Sequence, residues 1–227
     1  MACIVLVRIS VLLGLCLEVL SFGNGIRRDI PGLMFWPRPN VHNIRDSTLE
    51  ITVDDPSTYR DHVWRLESYL KAEYVTRRLD DTNNVYDCSP FSLRPETMPQ
   101  EAVCRFDIAS LGPCNAQENY GYSSGEPCVI LRLGRLLGWK PRNYSRIKIT
   151  CSGREPIDRS NMGKVYYYPS QVVDSKYFPF LNQANYMLPS VAVKFKGLTR
   201  GTLVKLACSA TDSSGEVGNI TFEILMR

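Results

Sequence analysis

Apolar and polar positions alternate from Thr48 to Val53, the period-two pattern of a strand with one face buried. Asp54-Asp55-Pro56 then starts a helix, with Asp55 suited to the N-cap and Pro56 to the first helical position. Tyr59, Val63, Leu66, Leu70 and Tyr74 recur at spacings of three and four, which puts one apolar face on a helix running to about Thr76. The polar face of that helix is not strongly basic, so the apolar face packs on a sheet rather than on a membrane. Asp80 to Asn84 reads as a polar loop. From Cys88 onward the pattern is β. Strand candidates are Val129 to Leu133, Arg146 to Cys151, Val191 to Phe195, Thr202 to Ala210 and Asn219 to Leu225, the last with Ile220, Phe222 and Ile224 on one side. Turn clusters such as Gly112-Pro113 and Ser123-Ser124-Gly125 separate them, and no second helix is predicted. Short strands between turn signals argue for a β-sandwich.

Upstream, Gly23 to Asn40 is rich in Gly, Pro and Arg, and Pro31, Pro37 and Pro39 predict an extended connection without regular structure. Ala2 to Phe22 is apolar except for Arg8, Ser10, Glu18 and Ser21. Two readings stay open. The run is just long enough to cross a bilayer. It also fits a cleaved signal, with an Ile9–Leu17 core and Ser21-Phe22-Gly23 as the small-x-small site. Either one sends the rest of the chain across a membrane. The domain reading is therefore a signal-anchor segment at 1–23, an extracellular stalk at 24–45 and a sandwich ectodomain at 46–227.

Charge adds little. The net charge is +4 over 227 residues and the cations are scattered, with Arg27-Arg28 and Arg77-Arg78 the only doublets, so nucleic acid is not a predicted partner. The cysteines add more. Six of the eight fall from Cys88 onward, at Cys88, Cys104, Cys114, Cys128, Cys151 and Cys208. There is no C-x-x-C, and His42 and His62 lie far upstream, so structural disulfides outside the cytosol are the reading and a metal site is not. Sequential pairing is one of fifteen connectivities, and spacing does not choose among them.

A search for chemistry comes back empty. No Ser-His-Asp or Cys-His set is suggested. Gly134 to Lys140 has the wrong spacing for a phosphate loop, with Pro141 where Ser or Thr would hold magnesium. Asp54-Asp55 and Asp80-Asp81 read as a cap and a loop. No catalytic residue, cofactor, metal or small-molecule substrate is predicted. Two N-glycosylation sequons exist, at Asn143 and Asn219. Dense aromatic clusters remain at Tyr120-Gly121-Tyr122, Tyr166-Tyr167-Tyr168-Pro169 and Tyr177-Phe178-Pro179-Phe180. They read equally well as core and as a protein-docking surface.

Several ordered blocks resemble the β subunits of the sodium/potassium-transporting ATPase. They are Pro31-Gly32-Leu33 with Pro37, and Cys104-Arg105-Phe106-Asp107 followed by Leu111-Gly112 and Cys114. Tyr120-Gly121-Tyr122 through Gly125-Glu126-Pro127-Cys128 follows, then Leu133 to Pro141. The last are Tyr177-Phe178-Pro179-Phe180-Leu181-Asn182, Leu188-Pro189 and Val191 to Phe195. The resemblance implies an immunoglobulin-like sandwich with sequential disulfides Cys88–Cys104, Cys114–Cys128 and Cys151–Cys208. It implies a non-catalytic, single-pass type II subunit at the plasma membrane. Its partner would be a catalytic α subunit, which it helps to fold and deliver and whose potassium transport it modulates. Tyr120, Tyr122, Tyr177, Phe178, Pro179, Phe180 and Leu181 would contact α. Asn182 stands where the family has glycine, so Asn must meet a positive φ there. Glu126 replaces a common lysine. The apolar run departs from the family's membrane helix: few residues precede it, it lacks Tyr, Trp and Phe before Phe22, and it contains Glu18. The alternatives are a proton/potassium pump β subunit and a secreted or cell-surface immunoglobulin-like adhesion module.

Overall fold

A computed structural model describes residues 30–38, 48–75, 84–88, 99, 101–183 and 186–227. The expectations for residues 1–23, the two Arg doublets, His42 and Asp80-Asp81 lie outside the described residues. In chain order the strands are β1 (Leu33–Trp36), β2 (Thr48–Ile51), β3 (Val85–Tyr86), β4 (Val103–Cys104), β5 (Cys128–Leu133), β6 (Ile147–Gly153), β7 (Lys164–Tyr168), β8 (Val172–Val173), β9 (Ser190–Lys196), β10 (Leu203–Asp212) and β11 (Gly215–Met226). The helices are α1 (Arg60–Val75) and α2 (Pro156–Asn161).

Alternation in these strands sorts their side chains onto two facing layers. A four-stranded antiparallel sheet has the order β1-β5-β9-β7. A five-stranded sheet has the order β2-β11-β10-β6-β8, antiparallel except where β2 runs parallel to β11. Leu33, Phe35, Leu131, Val191, Val193 and Phe195 of the first sheet face Leu206, Phe222 and Ile224 of the second, and all are buried. Phe222 marks the meeting of the layers: its ring stacks on Phe35 at 4.9 Å and takes Phe195 edge-on at 6.1 Å. Burying each such side chain contributes roughly 1.5–3 kcal/mol.

The outward face of the first sheet is covered as well. Ile130 and Ala192 are fully buried there. Trp36 stacks on Tyr69 of α1 at 4.3 Å, with the Arg132 guanidinium 4.4 Å from the Trp36 ring and 4.9 Å from Tyr69. The Tyr122 hydroxyl donates to the Cys128 carbonyl at 3.3 Å, closing the segment after Cys104 over the same face.

Besides the short strands β3, β4 and β8 and the tyrosine strand β7, none of them predicted, three features differ from the sequence reading. The proline-rich connection contains β1, four residues paired with Trp36 opposite Ile130 and Leu33 opposite Leu133. Pro31 and Pro37 lie outside those four residues, so they remove no hydrogen bond that β1 needs. The helix after Asp55 starts with a 3-10 turn, Pro56–Thr58, and becomes α-helical only at Arg60. The cap itself is as expected, with Asp55 accepting from the Ser57 amide at 3.0 Å. Tyr59, Leu66 and Leu70 are buried beneath it. A second helix, α2, exists where none was predicted. At six residues it is too short to show periodicity, and its signal is the capping box of Glu155 and Asp158 around Pro156.

The cysteines from Cys88 onward bond in sequential order: Cys88–Cys104, Cys114–Cys128 and Cys151–Cys208. The third pair joins directly opposed residues of β6 and β10 on their core-facing side.

Candidate partner-binding surface

Two loops separated widely in sequence meet at one end of the sandwich. After β5, Gly134 donates to the Gly32 carbonyl at 3.1 Å, and the Gly32 amide donates to Val217 at 3.1 Å. The chain therefore enters its first strand beside the loop that leaves β5. That loop, from Gly134 to Pro141, is bonded in turn to the segment preceding β9. The Gly138 amide donates to the Phe180 carbonyl at 2.8 Å, and Leu137 and Phe180 form an isolated parallel bridge. Trp139 meets Phe178 edge-on at 5.4 Å. The Arg135 guanidinium lies 5.7 Å from the Phe180 ring.

The aromatic residues singled out in the sequence divide by burial. Tyr120 and Tyr122 are only 2% and 0% exposed. Burial, followed by the Glu67 charge, pushes the Tyr120 phenol up to about 12, and burial alone pushes Tyr122 higher still. These two belong to the packing over the first sheet, between α1 and β5, and offer a partner no side-chain surface. Phe178 and Pro179 are likewise buried, because Trp139 and the sandwich end enclose them. Tyr177, Phe180 and Leu181 are half-buried. Tyr177 lies edge-on to Phe106 at 5.7 Å, and its phenol is raised first by burial, then by Asp174 and Asp107. Phe180 packs on Tyr186 at 5.2 Å.

The turn beyond is braced by its own polar groups. The Leu181 amide donates to Gln183 Oε1 at 2.7 Å, and Gln183 Nε2 donates back to the Pro179 carbonyl at 3.0 Å. Asn182 is exposed with φ 61°, the positive value anticipated for it. Leu137, which the sequence reading did not single out, is 68% exposed on this surface. A leucine pair placed in a Gly-, Arg- and Lys-rich loop was the signal available for it.

The remaining candidates lie elsewhere. Asn143 is exposed in a 3-10 turn with φ 54°. Asn219 and Thr221 are exposed on the outer face of β11, and Asn219 Nδ2 donates to the Glu216 carboxylate. Tyr167 reaches from β7 across to β6 and accepts the Cys151 amide at 2.9 Å. Glu126 pairs with Lys194 at 2.7 Å and Lys196 at 3.0 Å, which holds its carboxyl below the usual range. Among the described residues no group of His, Cys, Asp or Glu could hold a metal ion, and no helix is long and apolar enough to cross a membrane.

The family model for the "Sodium / potassium ATPase beta chain" matches residues 2–220. The chain belongs to this family. Among its relatives, it is 31% identical over 224 residues to the probable sodium/potassium-transporting ATPase subunit beta-3 of Caenorhabditis briggsae, an alignment covering 86% of this chain and 66% of that one. It is 26% identical over 232 residues to sodium/potassium-transporting ATPase subunit beta-2 of Drosophila melanogaster, covering 86% and 71%. It is 28% identical over 213 residues to the beta-2 subunit of Homo sapiens, again covering 86% and 71%. The chain thus spans about two thirds of the length of these relatives. The loop after β5 and the segment before β9 are two of the blocks on which the resemblance rested, and the fold brings them together.

Proposed function

We propose that the chain is the non-catalytic β subunit of a sodium/potassium pump, that its sandwich is immunoglobulin-like, and that it sits in the plasma membrane as a single-pass type II protein. It assists folding, assembly and surface delivery of the catalytic α subunit and modulates potassium transport. The family match over nearly the whole chain carries this reading. The geometry supports it further. A partner anchored in the same membrane meets the sandwich at the end where its chain enters, and the Leu137–Phe180 bridge lies at that end.

The contact we infer uses Leu137, Tyr177, Phe180 and Leu181, with Phe178 and Pro179 packed behind them; Tyr120 and Tyr122, buried between α1 and β5, take no part in it. Aromatic and aliphatic anchors on a braced scaffold bind at low ordering cost. N-glycans on Asn143 and Asn219 fit side chains that are already exposed.

Co-expression with a sodium-pump α subunit tests the assignment. Capture of α and its delivery to the cell surface are expected. Leu137→Ala with Phe180→Ala should reduce capture at least several-fold while the three disulfides stay formed. If the wild-type chain captures no α and is recovered from the medium, the pump role is withdrawn. If the double variant captures α normally, the contact lies elsewhere.

A further inference from the structure

The far end of the sandwich has a different chemistry. Strand register identifies that end. Leu33 and Leu133 pair where the chain enters, whereas Lys164 pairs with Lys196 at the opposite extreme of the same sheet. In the second sheet, β11 leaves Val217 beside Gly32 and reaches Leu225 opposite Leu203 at the far end. The turn before α2, α2 itself and the loop between β9 and β10 gather there. The Arg154 amide donates to the Lys205 carbonyl at 2.9 Å, and the Thr199 amide to Asn161 at 3.0 Å.

Exposed at this tip are Arg154, Arg159, Lys164, Arg200 and Lys205. Among the acids here Asp158 is turned inward onto the backbone, Glu223 is half-buried and Glu155 is exposed. Asp158 is 5% exposed and accepts the Glu155 amide at 3.0 Å and the Lys205 amide at 2.9 Å. Glu155 accepts from the Asp158 amide in the reciprocal half of the capping box. Glu223, opposite Lys205 in register, takes the Thr48 hydroxyl at 3.0 Å. Arg159 donates to the carbonyls of Gly153 and Arg154, which positions its charge over the strand end without neutralising it. Among the described residues, Arg154, Lys164, Arg200 and Lys205 form no ion pair within 4.0 Å. The α2 capping box thus engages both carboxylates with backbone amides, burying Asp158 and leaving Glu155 exposed beside the cations.

We propose that this tip is a docking surface for a sulfated polysaccharide outside the cell. The inference rests on the reading that the sandwich faces the exterior. Three disulfides exclude a reducing compartment, and with it intracellular nucleic acid. The tip's position opposite the chain's entrance points it away from the bilayer from which the chain emerges. What remains outside the cell with dense fixed negative charge is a sulfated glycan, whose sulfates match guanidinium and ammonium donors.

The probe is heparin, titrated against the full-length chain in detergent micelles at 50–200 mM NaCl. Binding is expected, with affinity falling steeply as salt rises because counterions are released from the polyanion. Arg154→Glu with Lys205→Glu should weaken it roughly tenfold or more and reduce the salt slope by about two. Lys148→Glu with Arg142→Glu changes net charge equally at exposed sites at the opposite end and should leave binding close to wild type. Absence of heparin binding at the lowest salt overturns the proposal. So does an equal loss in both double variants, which would mean diffuse charge attraction, or equal competition by polyglutamate, which would mean an acidic protein partner. Retention of all three disulfides in each variant separates loss of binding from loss of fold. Because the assay contains no α subunit, its result is independent of whether α is captured.

Discussion

His62 on α1 is packed with its ring 6.0 Å from Tyr122, and its buried Nδ1 has no hydrogen-bond partner among the described residues. Burial first, then Arg65, lowers its pKa below 6.5, while Asp61 and the Glu50 backbone oppose the shift only in part. The unfolded chain therefore binds a proton more readily than the folded one. The contribution is fully present above pH about 6.5 and is lost as pH falls from there through the lower folded value. Melting temperature should drop between pH 7.5 and pH 5.5 in the wild type. The drop should be smaller in His62→Gln, which keeps a donor and cannot titrate; an equal drop would place the titrating group elsewhere. Asn182 shows a residue legible in advance: glycine in the family pattern demanded a positive φ, and Asn tolerates one. Leu137 was not legible, because only folding brings it beside Phe180.

At the level of elements, legibility tracked periodicity. β5, β6, β9, β10 and β11 showed themselves as apolar or alternating runs, and α1 by its three-and-four spacing. β1 was hidden by flanking prolines, although four residues between them suffice for pairing. β7 was hidden because three consecutive tyrosines carry no polar contrast, yet Tyr167 points across to β6 while Tyr166 is 41% exposed. β1 has consequences for α1, since Trp36 carries the stack that seats the helix. Trp36→Ala removes the Tyr69 stack and the Arg132 cation–π contact together, and should cost about 3 kcal/mol by urea denaturation. Trp64→Ala, at a position 64% exposed on the same helix, should stay within about 0.5 kcal/mol. Similar losses in the two variants would mean that α1 is not held through Trp36.

The molecule as a whole is held by cross-links of unequal reach. Cys151–Cys208 spans 57 residues, against 16 and 14 for the other two. On chain-entropy grounds its removal by Cys151→Ser with Cys208→Ser should cost about 4 kcal/mol, more than either short loop at about 3. Denaturation midpoints of the three paired variants test that ranking, and equal midpoints would contradict it. The two ends of the sandwich also differ in how far the sequence disclosed them. The end where the chain enters carries some of the blocks of resemblance, those around Gly32, Gly134 to Pro141 and Phe178 to Phe180, while the far tip draws its cations from α2 and separate loops that only the fold assembles.

β11 lies between β2 and β10, hydrogen-bonded on both sides. It is also the last strand of the sandwich to be made. The five-stranded sheet therefore cannot close before β11 has been made. Until β11 emerges, β2 has no neighbour and Phe35 and Phe195 have no Phe222 to meet. A chain stopped before Phe222 could still pair β1-β5-β9-β7 and β10-β6-β8, but the apolar faces that Phe222 joins would stay uncovered.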